Sequence, residues 1–188
     1  LSKVANKMSS PPIHCNGISI TFDTDWAKDE IIAFVVEQLK RNGIKATFFA
    51  THSSPLLLSL SQDDLFEIGL HPNYNAAADP SYNPIEELKK IYPSAVGARS
   101  HSLHFSSKIL QQYVQCGLVY EANMFLPLHE HLHPVRRMRE LVSIPYYWAD
   151  DTHFTMNSSF TLGDLKLSSP GLKVFAFHPI HVFMNTHS

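Results

Sequence analysis

The segment spanning residues 17–50 constrains the fold more than any other part of the chain. Residues 18–22 alternate apolar and hydroxyl side chains, which is typical of a strand. Residues 27–41 place apolar side chains at helical spacing, and Asn42 and Gly43 end that pattern. Residues 46–50 form a second apolar, strand-like run. Two strands joined through a helix pair in parallel, so the sequence predicts a βαβ unit and an α/β fold.

The rest of the chain continues this alternation less regularly. We predict helices at 55–60, 62–67, 85–92 and 106–116, and strands at 68–70, 95–98, 118–121, 141–144 and 172–177. No repeat or linker interrupts them, and 188 residues suit one domain. We therefore expect a single domain over residues 17–188. Residues 1–16 are interpreted as an N-terminal extension, partly of artificial origin.

Composition narrows the class of protein. The chain is 44% hydrophobic and 17% charged, which fits a soluble globular protein. A net charge of −2 gives no general attraction to nucleic acid or anionic membrane, and no apolar stretch approaches the length of a membrane span. Residues 1–16 lack the apolar core of a signal peptide, so we predict a cytoplasmic protein. Cys15 and Cys116 are expected to be reduced, with a disulfide as the alternative.

Chemically capable side chains follow most of the predicted strands. In parallel α/β folds, ligands bind at the carboxyl ends of the strands. A purely structural fold would not need such a ring of residues, so it indicates an active site. The ring includes Asp23, Asp25, His71, Arg99, His101 and His178.

Asp23 and Asp25 are the first candidates for metal chemistry. Residues i and i+2 of an extended segment point the same way, and two nearby carboxylates repel unless a cation lies close. One could ligate a divalent metal while the other takes a proton from water. The alternative is an Asx-turn or a helix N-cap.

The strand-end histidines and arginine could complete such a site. His71 and His101 are candidate metal ligands, or else ordinary loop histidines. Arg99 could hold a catalytic carboxylate ionised, and His178 suits a general acid. His181 could orient His178 or be structural.

A second histidine-rich stretch, residues 128–133, is interpreted as a loop rather than a metal site. Three nearby arginines either meet an anionic part of a substrate or lie on a solvated helix face. They are Arg136, Arg137 and Arg139.

Five motifs together resemble a known family. Residues 20–26 (Ile-Thr-Phe-Asp-Thr-Asp-Trp), 46–49, 67–73, 99–101 and 177–179 occur in the order found in polysaccharide deacetylases, the NodB-homology or carbohydrate esterase family 4 group. The pattern is most similar to the divergent WbmS-like branch, which is associated with surface-polysaccharide gene clusters. The resemblance covers residues 17–185 and implies a distorted (β/α)7 barrel.

The resemblance also implies roles for individual residues. Asp23 would be the catalytic base, Asp25 and His71 metal ligands, Arg99 the brace of Asp23, and His178 the catalytic acid. The cofactor would be a divalent metal ion, and zinc is the ion we expect. A water activated by the metal would remove the acetyl group of an N- or O-acetylated sugar.

Three departures from the family pattern qualify these roles. The family's acidic pair is adjacent, whereas Thr24 separates the two carboxylates here, so their roles could be exchanged. The family's second histidine ligand would fall at Asn75, a poor replacement. The Arg-x-Pro-Tyr motif reads Arg-Ser-His-Ser at residues 99–102. We therefore predict that His101 replaces the missing histidine ligand.

Several functions remain open at this stage. The expected substrate is an acetylated polysaccharide, a lipid-linked oligosaccharide or a nucleotide sugar. One alternative is an amidohydrolase that acts on a non-sugar amide. The other is a non-catalytic barrel that binds carbohydrate.

Overall fold

The computed structural model describes residues 1–6, 16–75, 82–138, 141–156 and 161–186. These residues contain nine strands in one curled, half-barrel sheet, in the order β6-β7-β5-β4-β3-β2-β1-β9-β8. All neighbouring strands pair in parallel except β6, which runs antiparallel to β7. The strands are β1 Gly17–Asp23, β2 Ala46–Ala50, β3 Phe66–Leu70, β4 Gly97–Ala98, β5 Tyr120–Glu121, β6 Val135–Met138, β7 Leu141–Ser143, β8 Trp148–Ala149 and β9 Leu172–Phe177.

Helices connect most of these strands, so the predicted α/β barrel-like fold class is confirmed. Two 3-10 turns, His101–Leu103 and Leu162–Leu165, lie between them. None of the helices in the described ranges combines the length and apolar composition that crossing a bilayer requires. The helices are α1 Ser2–Asn6, α2 Asp29–Arg41, α3 Pro55–Leu60, α4 Pro84–Ile91, α5 Ser107–Gln115, α6 Asp150–Met156 and α7 Pro179–Phe183.

The first crossover helix, α2, shows why the βαβ prediction succeeds. It buries one stripe of side chains spaced three or four residues apart: Ile32, Val35, Val36 and Leu39. Acidic residues lie in its first turn and basic residues in its last, which complements the helix dipole. Gly43 then adopts a positive φ of 60° just beyond the helix, a conformation that glycine tolerates without strain.

The sheet separates two apolar layers. In β2, Phe48 packs into the larger cluster shared with the helices, while Phe49 packs into the cluster that includes Tyr120 and Ala176. This alternation follows the two-residue period of a strand. Gly97 is required in β4, since a Cβ there would overlap the ring of Tyr120. The close packing of the Tyr120 ring against β4 therefore leaves no room for a side chain at position 97.

Some local predictions were wrong. Residues 62–67 do not form a helix, because a turn precedes β3 and the Asp63 carboxylate accepts the backbone N–H of Leu65. Arg136 and Arg137 lie in the edge strand β6, not on a solvated helix face, and Arg139 lies outside the described residues. The elements α1, β6, β8, α6 and α7 were not predicted.

The structure describes the predicted N-terminal extension and the two cysteines only in part. Within the predicted N-terminal extension, residues 2–6 form α1, and its Ala5 is buried. Residues 7–15 lie outside the described part of the chain, and so does Cys15. Cys116 is a free cysteine. The domain boundaries and the state of Cys15 stay predictions.

Candidate active site

The sequence-predicted residues meet at the carboxyl ends of the strands. A cleft of about 250 Å³ is lined there by Asp23, Asp25, His71, His101 and His178, among others. Each of these follows or ends a strand: β1, β3, β4 or β9. Arg99 lies beneath the cleft and is fully buried. The structure thus brings together six of the residues that the strand-end argument selected.

The turn after β1 sets the position of Asp25. Thr24 is buried, and both its backbone N–H and its hydroxyl donate to the carbonyl of Phe49. Asp25 and Trp26 then adopt positive φ values of 40° and 60°, which are unfavourable for residues with a Cβ. Helix α2 begins later, and its N-cap position is Lys28. The helix-cap interpretation of Asp25 was therefore wrong.

The carboxylate of Asp25 contacts three imidazole rings. Its Oδ1 lies 3.1 Å from Nε2 of His71 and 3.1 Å from Nδ1 of His101. Its Oδ2 lies 3.2 Å from Nε2 of His178. Burial raises the pKa of Asp25, but hydrogen bonds to His178 and His71 outweigh burial and hold the pKa well below its usual range. The carboxylate is consequently ionised, and three imidazole nitrogens lie around it.

These donors fit a zinc-like ion. One carboxylate oxygen and two imidazole nitrogens, from Asp25, His71 and His101, all lie within 4.8 Å of one another. Ligand atoms of a tetrahedral zinc ion lie roughly 3.3 Å apart, given metal–ligand distances of about 2.0–2.1 Å. The 3.1 Å separations approach that spacing. Mixed His and Asp coordination with room for a further ligand is typical of catalytic zinc sites.

Asp23 and Arg99 form a buried ion pair beside this group. Nη1 of Arg99 donates to Oδ1 of Asp23 at 2.9 Å and to the Thr21 hydroxyl at 3.0 Å. Its Nε donates to the carbonyl of Ala122. The guanidinium also stacks over the ring of Phe49. A buried charge of this kind needs such partners, and the pair holds the Asp23 carboxylate in a fixed direction.

Asp150 is a functional candidate that the sequence analysis missed. Its Oδ1 lies 2.7 Å from Nδ1 of His178, and its Oδ2 accepts the backbone N–H of His178 at 2.7 Å. Burial lowers the pKa of His178, but hydrogen bonds to Asp150 and Asp25 outweigh it and raise the pKa to about 11. The imidazole therefore carries a proton at neutral pH. His181 approaches the same carboxylate at 3.0 Å, without hydrogen-bond geometry.

The remaining candidates lie away from this group. Asn75 is exposed and does not line the cleft. The histidines of residues 128–133 are exposed in a loop, as predicted. In the parts of the chain that the structure describes, two groups of residues have metal-ligand spacing. They are Asp25–His71–His101 and Asp150–His178–His181.

Comparison with known families agrees with this arrangement. The sequence model of the WbmS-like polysaccharide deacetylases matches residues 20–188. The chain belongs to that family. A search of curated proteins found no match.

Solved structures of similar fold include members described as deacetylases. A WbmS protein from Bordetella bronchiseptica, described as a candidate polysaccharide deacetylase involved in O-antigen biosynthesis, shares 33% identity. Its TM-score is 0.82, over 92% of this chain and 75% of that one. A candidate polysaccharide deacetylase from Mycobacterium smegmatis has 16% identity and a TM-score of 0.61, over 94% of this chain and 86% of that one.

A peptidoglycan N-acetylglucosamine deacetylase, Bc1960, shares the fold at greater distance. It has 14% identity and a TM-score of 0.55, covering 89% of this chain and 74% of that one. At this identity the likeness concerns the fold alone. The roles of individual residues in this chain therefore depend on the geometry of its own cleft.

Proposed function

We propose that this protein is a metal-dependent deacetylase that hydrolyses the acetyl group of an N-acetylated sugar. The observation that carries the proposal is the position of Asp25, whose carboxylate meets His71, His101 and His178 at 3.1–3.2 Å. A potential metal site and a proton-bearing histidine thus share one cleft. Membership of the polysaccharide deacetylase family supports this reaction.

Asp25, His71 and His101 would hold the divalent metal, and their nitrogen and oxygen donors favour zinc. When bound, the metal would polarise the acyl carbonyl and lower the pKa of water. The contacts of Asp25 with two imidazoles support its assignment as the ligand rather than the base. They also support His101, rather than exposed Asn75, as the third ligand.

Asp23 would act as the base. It would accept a proton from the attacking water while the water oxygen bonds to the acyl carbon. The ion pair with Arg99 keeps this carboxylate oriented, because the guanidinium is itself fixed by Thr21 and Ala122. A second candidate role for Asp23, ligation of the metal, is less supported, because Asp23 belongs to neither group with metal-ligand spacing among the described residues and its Oδ1 accepts from Arg99.

His178 would act as the acid. Its Nδ1 faces Asp150, which leaves Nε2 directed toward Asp25 and the cleft. When the bond between the acyl carbon and the sugar nitrogen breaks, Nε2 would protonate that nitrogen, so acetate and an amine leave. Asp150 would hold the ring in place and stabilise its protonated form, as a carboxylate does for a catalytic histidine.

The substrate class follows from the family rather than from the cleft. A WbmS relative is described as involved in O-antigen biosynthesis. We therefore propose a surface-polysaccharide precursor as the substrate: an oligosaccharide, a lipid-linked unit or a nucleotide sugar. O-acetyl groups are the alternative target of the same chemistry. A cytoplasmic location stays a prediction from the sequence.

Metal content and acetate release test the proposal together. The purified protein would be dialysed with zinc, analysed for bound metal, and incubated with N-acetylated and O-acetylated sugars. We expect about one zinc per chain and acetate from at least one N-acetylated sugar. Asp25→Asn should lose both properties. Asp64→Asn, which changes an exposed carboxylate before β3, should retain both.

The same assay separates the rival functions. Acetate or amine release from a simple amide, with none from any sugar, would favour an amidohydrolase. Sugar binding without metal and without acetate release would favour a non-catalytic carbohydrate-binding barrel. Either result would overturn the deacetylase proposal.

A further inference from the structure

Tyr146 borders the cleft but has no part in the chemistry described above. Its ring stacks on Phe125, with centroids 4.6 Å apart and planes inclined by 14°. The Arg99 guanidinium lies 4.7 Å from the same ring. Backbone hydrogen bonds with Met124 and Leu126 fix the residue on both sides. Tyr146 is therefore held rigidly in the floor of the site.

The hydroxyl of Tyr146 is free to meet a ligand. The residue is 5% exposed and lines the cleft together with Asp23, Asp25 and His178. The hydroxyl makes no hydrogen bond to another described residue, and it is not among the fully enclosed polar atoms that lack a partner. A buried tyrosine usually satisfies its O–H, so a hydroxyl left without a protein partner at a cleft surface points to a ligand or water.

The surroundings of Tyr146 keep it a donor. Burial raises the pKa of its phenol above the usual value; Arg99 opposes that shift, and Asp23 and Asp151 reinforce it. The neighbouring carboxylates are also the reason why an anionic phenolate would be unfavourable here. Near neutral pH the hydroxyl therefore keeps its proton, so it can donate a hydrogen bond but cannot act as a base.

We propose that Tyr146 is a further catalytic residue, whose hydroxyl donates a hydrogen bond to the acyl oxygen of the substrate as negative charge develops on it. This inference rests on the proposed deacetylase function. Because the ring of Tyr146 adjoins Arg99, which holds Asp23, Tyr146 lies on the side of the cleft where the attacking water would be deprotonated. A rigid donor aimed at developing charge stabilises a transition state more than a ground state.

Tyr146→Phe is the direct test, because it removes the hydroxyl and keeps the ring that packs on Phe125 and Arg99. We expect kcat to fall about 100-fold with little change in KM. Enzymes that lose one hydrogen-bond donor to an oxyanion show a fall of this size. The fall should be similar for an acetylated sugar and for 4-nitrophenyl acetate, since the proposed contact is to the acyl group. Zinc content should be unchanged.

Tyr147→Phe provides a matched control one residue away. The Tyr147 hydroxyl donates to the carbonyl of Leu165 at 3.0 Å and is buried, so its loss should lower the melting temperature but leave kcat unchanged. A Tyr146→Phe protein with unchanged kcat would overturn the inference. So would a rise in KM alone and only on sugar substrates, which would instead place the hydroxyl on a sugar hydroxyl group.

A binding measurement keeps the inference separate from the proposed function. Acetate would be titrated into each protein in zinc-containing buffer and followed by NMR. We expect Tyr146→Phe to weaken acetate binding about tenfold and Tyr147→Phe to leave it unchanged. Equal acetate affinity in Tyr146→Phe and wild type, or no acetate binding by wild type, would overturn the Tyr146 contact. A wild type that binds acetate but releases none from any substrate would instead overturn the deacetylase proposal.

Discussion

The carboxylate of Asp150 holds His178 through two contacts at once, a ring contact from Oδ1 to Nδ1 at 2.7 Å and a backbone N–H to Oδ2 at 2.7 Å. Asp150 is 2% exposed, so water competes little for either contact. Two fixed contacts define both the orientation of the imidazole and its charge. The proposed acid role of His178 therefore depends on a residue in a different element, helix α6.

Asp150→Asn should move the alkaline limit of activity to lower pH. The Asp150 carboxylate is the largest favourable contribution to the raised pKa of His178, so its neutral replacement allows the imidazole to lose its proton earlier. We expect kcat to fall about 10- to 100-fold at neutral pH, which is less than the roughly 100- to 10,000-fold contribution of a complete general acid, because His178 itself remains. The pH dependence of kcat, measured with the zinc-loaded proteins, checks this.

Asp63→Asn is the control for that experiment. Asp63 pairs with Lys40 at 2.8 Å, in the turn before β3. Its replacement should leave the pH profile where it is in wild type. An Asp150→Asn profile that coincides with the wild-type profile would mean that Asp150 does not set the protonation of His178.

The same contact predicts how the metal-free protein responds to alkali. The pKa of His178 rises from an ordinary value of 6.5 to about 11 in the folded protein. Stability from the protonated ring is thus fully present below about pH 6.5 and is lost as pH rises through the folded pKa. Between pH 7 and 10 the melting temperature of wild type should fall more steeply than that of Asp150→Asn. Parallel curves would contradict the prediction.

Which strands could be predicted from the sequence depends on how many consecutive residues carry a strand-like pattern. Strands β2 and β9 were predicted with correct bounds because five or six consecutive residues carry a strand pattern. The two-residue strands β4 and β5 lie within the longer predicted strands 95–98 and 118–121, whereas the two residues of β8 fall outside every predicted strand, and β8 was missed. Asp150 follows β8 directly, so the strand-end rule that found His71 and His178 had no strand to apply to.

His101 was predicted as a ligand because the family's second histidine ligand falls at Asn75, and the motif around His101 departs from the family pattern. A short 3-10 turn begins at His101, and the ring lies edge-on to that of His71, with centroids 5.5 Å apart. No sequence periodicity could show that the ring turns toward Asp25. That contact arises from tertiary structure, since Asp25 follows β1 and His101 follows β4, and β2 and β3 lie between these strands in the sheet.

His101→Ala should weaken zinc binding by at least tenfold, because it removes one of three proposed protein ligands. His104→Ala is the matched control, since His104 ends the same turn and lies outside the proposed metal group. Competition with a zinc chelator would give both affinities. If His101→Ala binds zinc as tightly as wild type, His101 is not a ligand.

Arg99→Ala should be among the most destabilising substitutions in the protein. Arg99 is fully buried, with its guanidinium 4.6 Å from the ring of Phe49 and its Nη1 on Asp23. Truncation leaves the Asp23 carboxylate buried without its cation, which costs about 3–5 kcal/mol. Arg41→Ala should cost less than about 1 kcal/mol, because the Arg41–Glu37 pair is exposed. Denaturant unfolding measures both values.

The double variant Asp23→Asn/Arg99→Met separates the two roles of this buried pair. Removing both charges eliminates the uncompensated carboxylate, so part of the stability lost in Arg99→Ala should return. Acetate release should be abolished, because no base remains at position 23. A double variant no more stable than Arg99→Ala would show that packing of the Arg99 side chain, rather than charge pairing with Asp23, accounts for the loss. Acetate release by the double variant would remove Asp23 from the proposed mechanism.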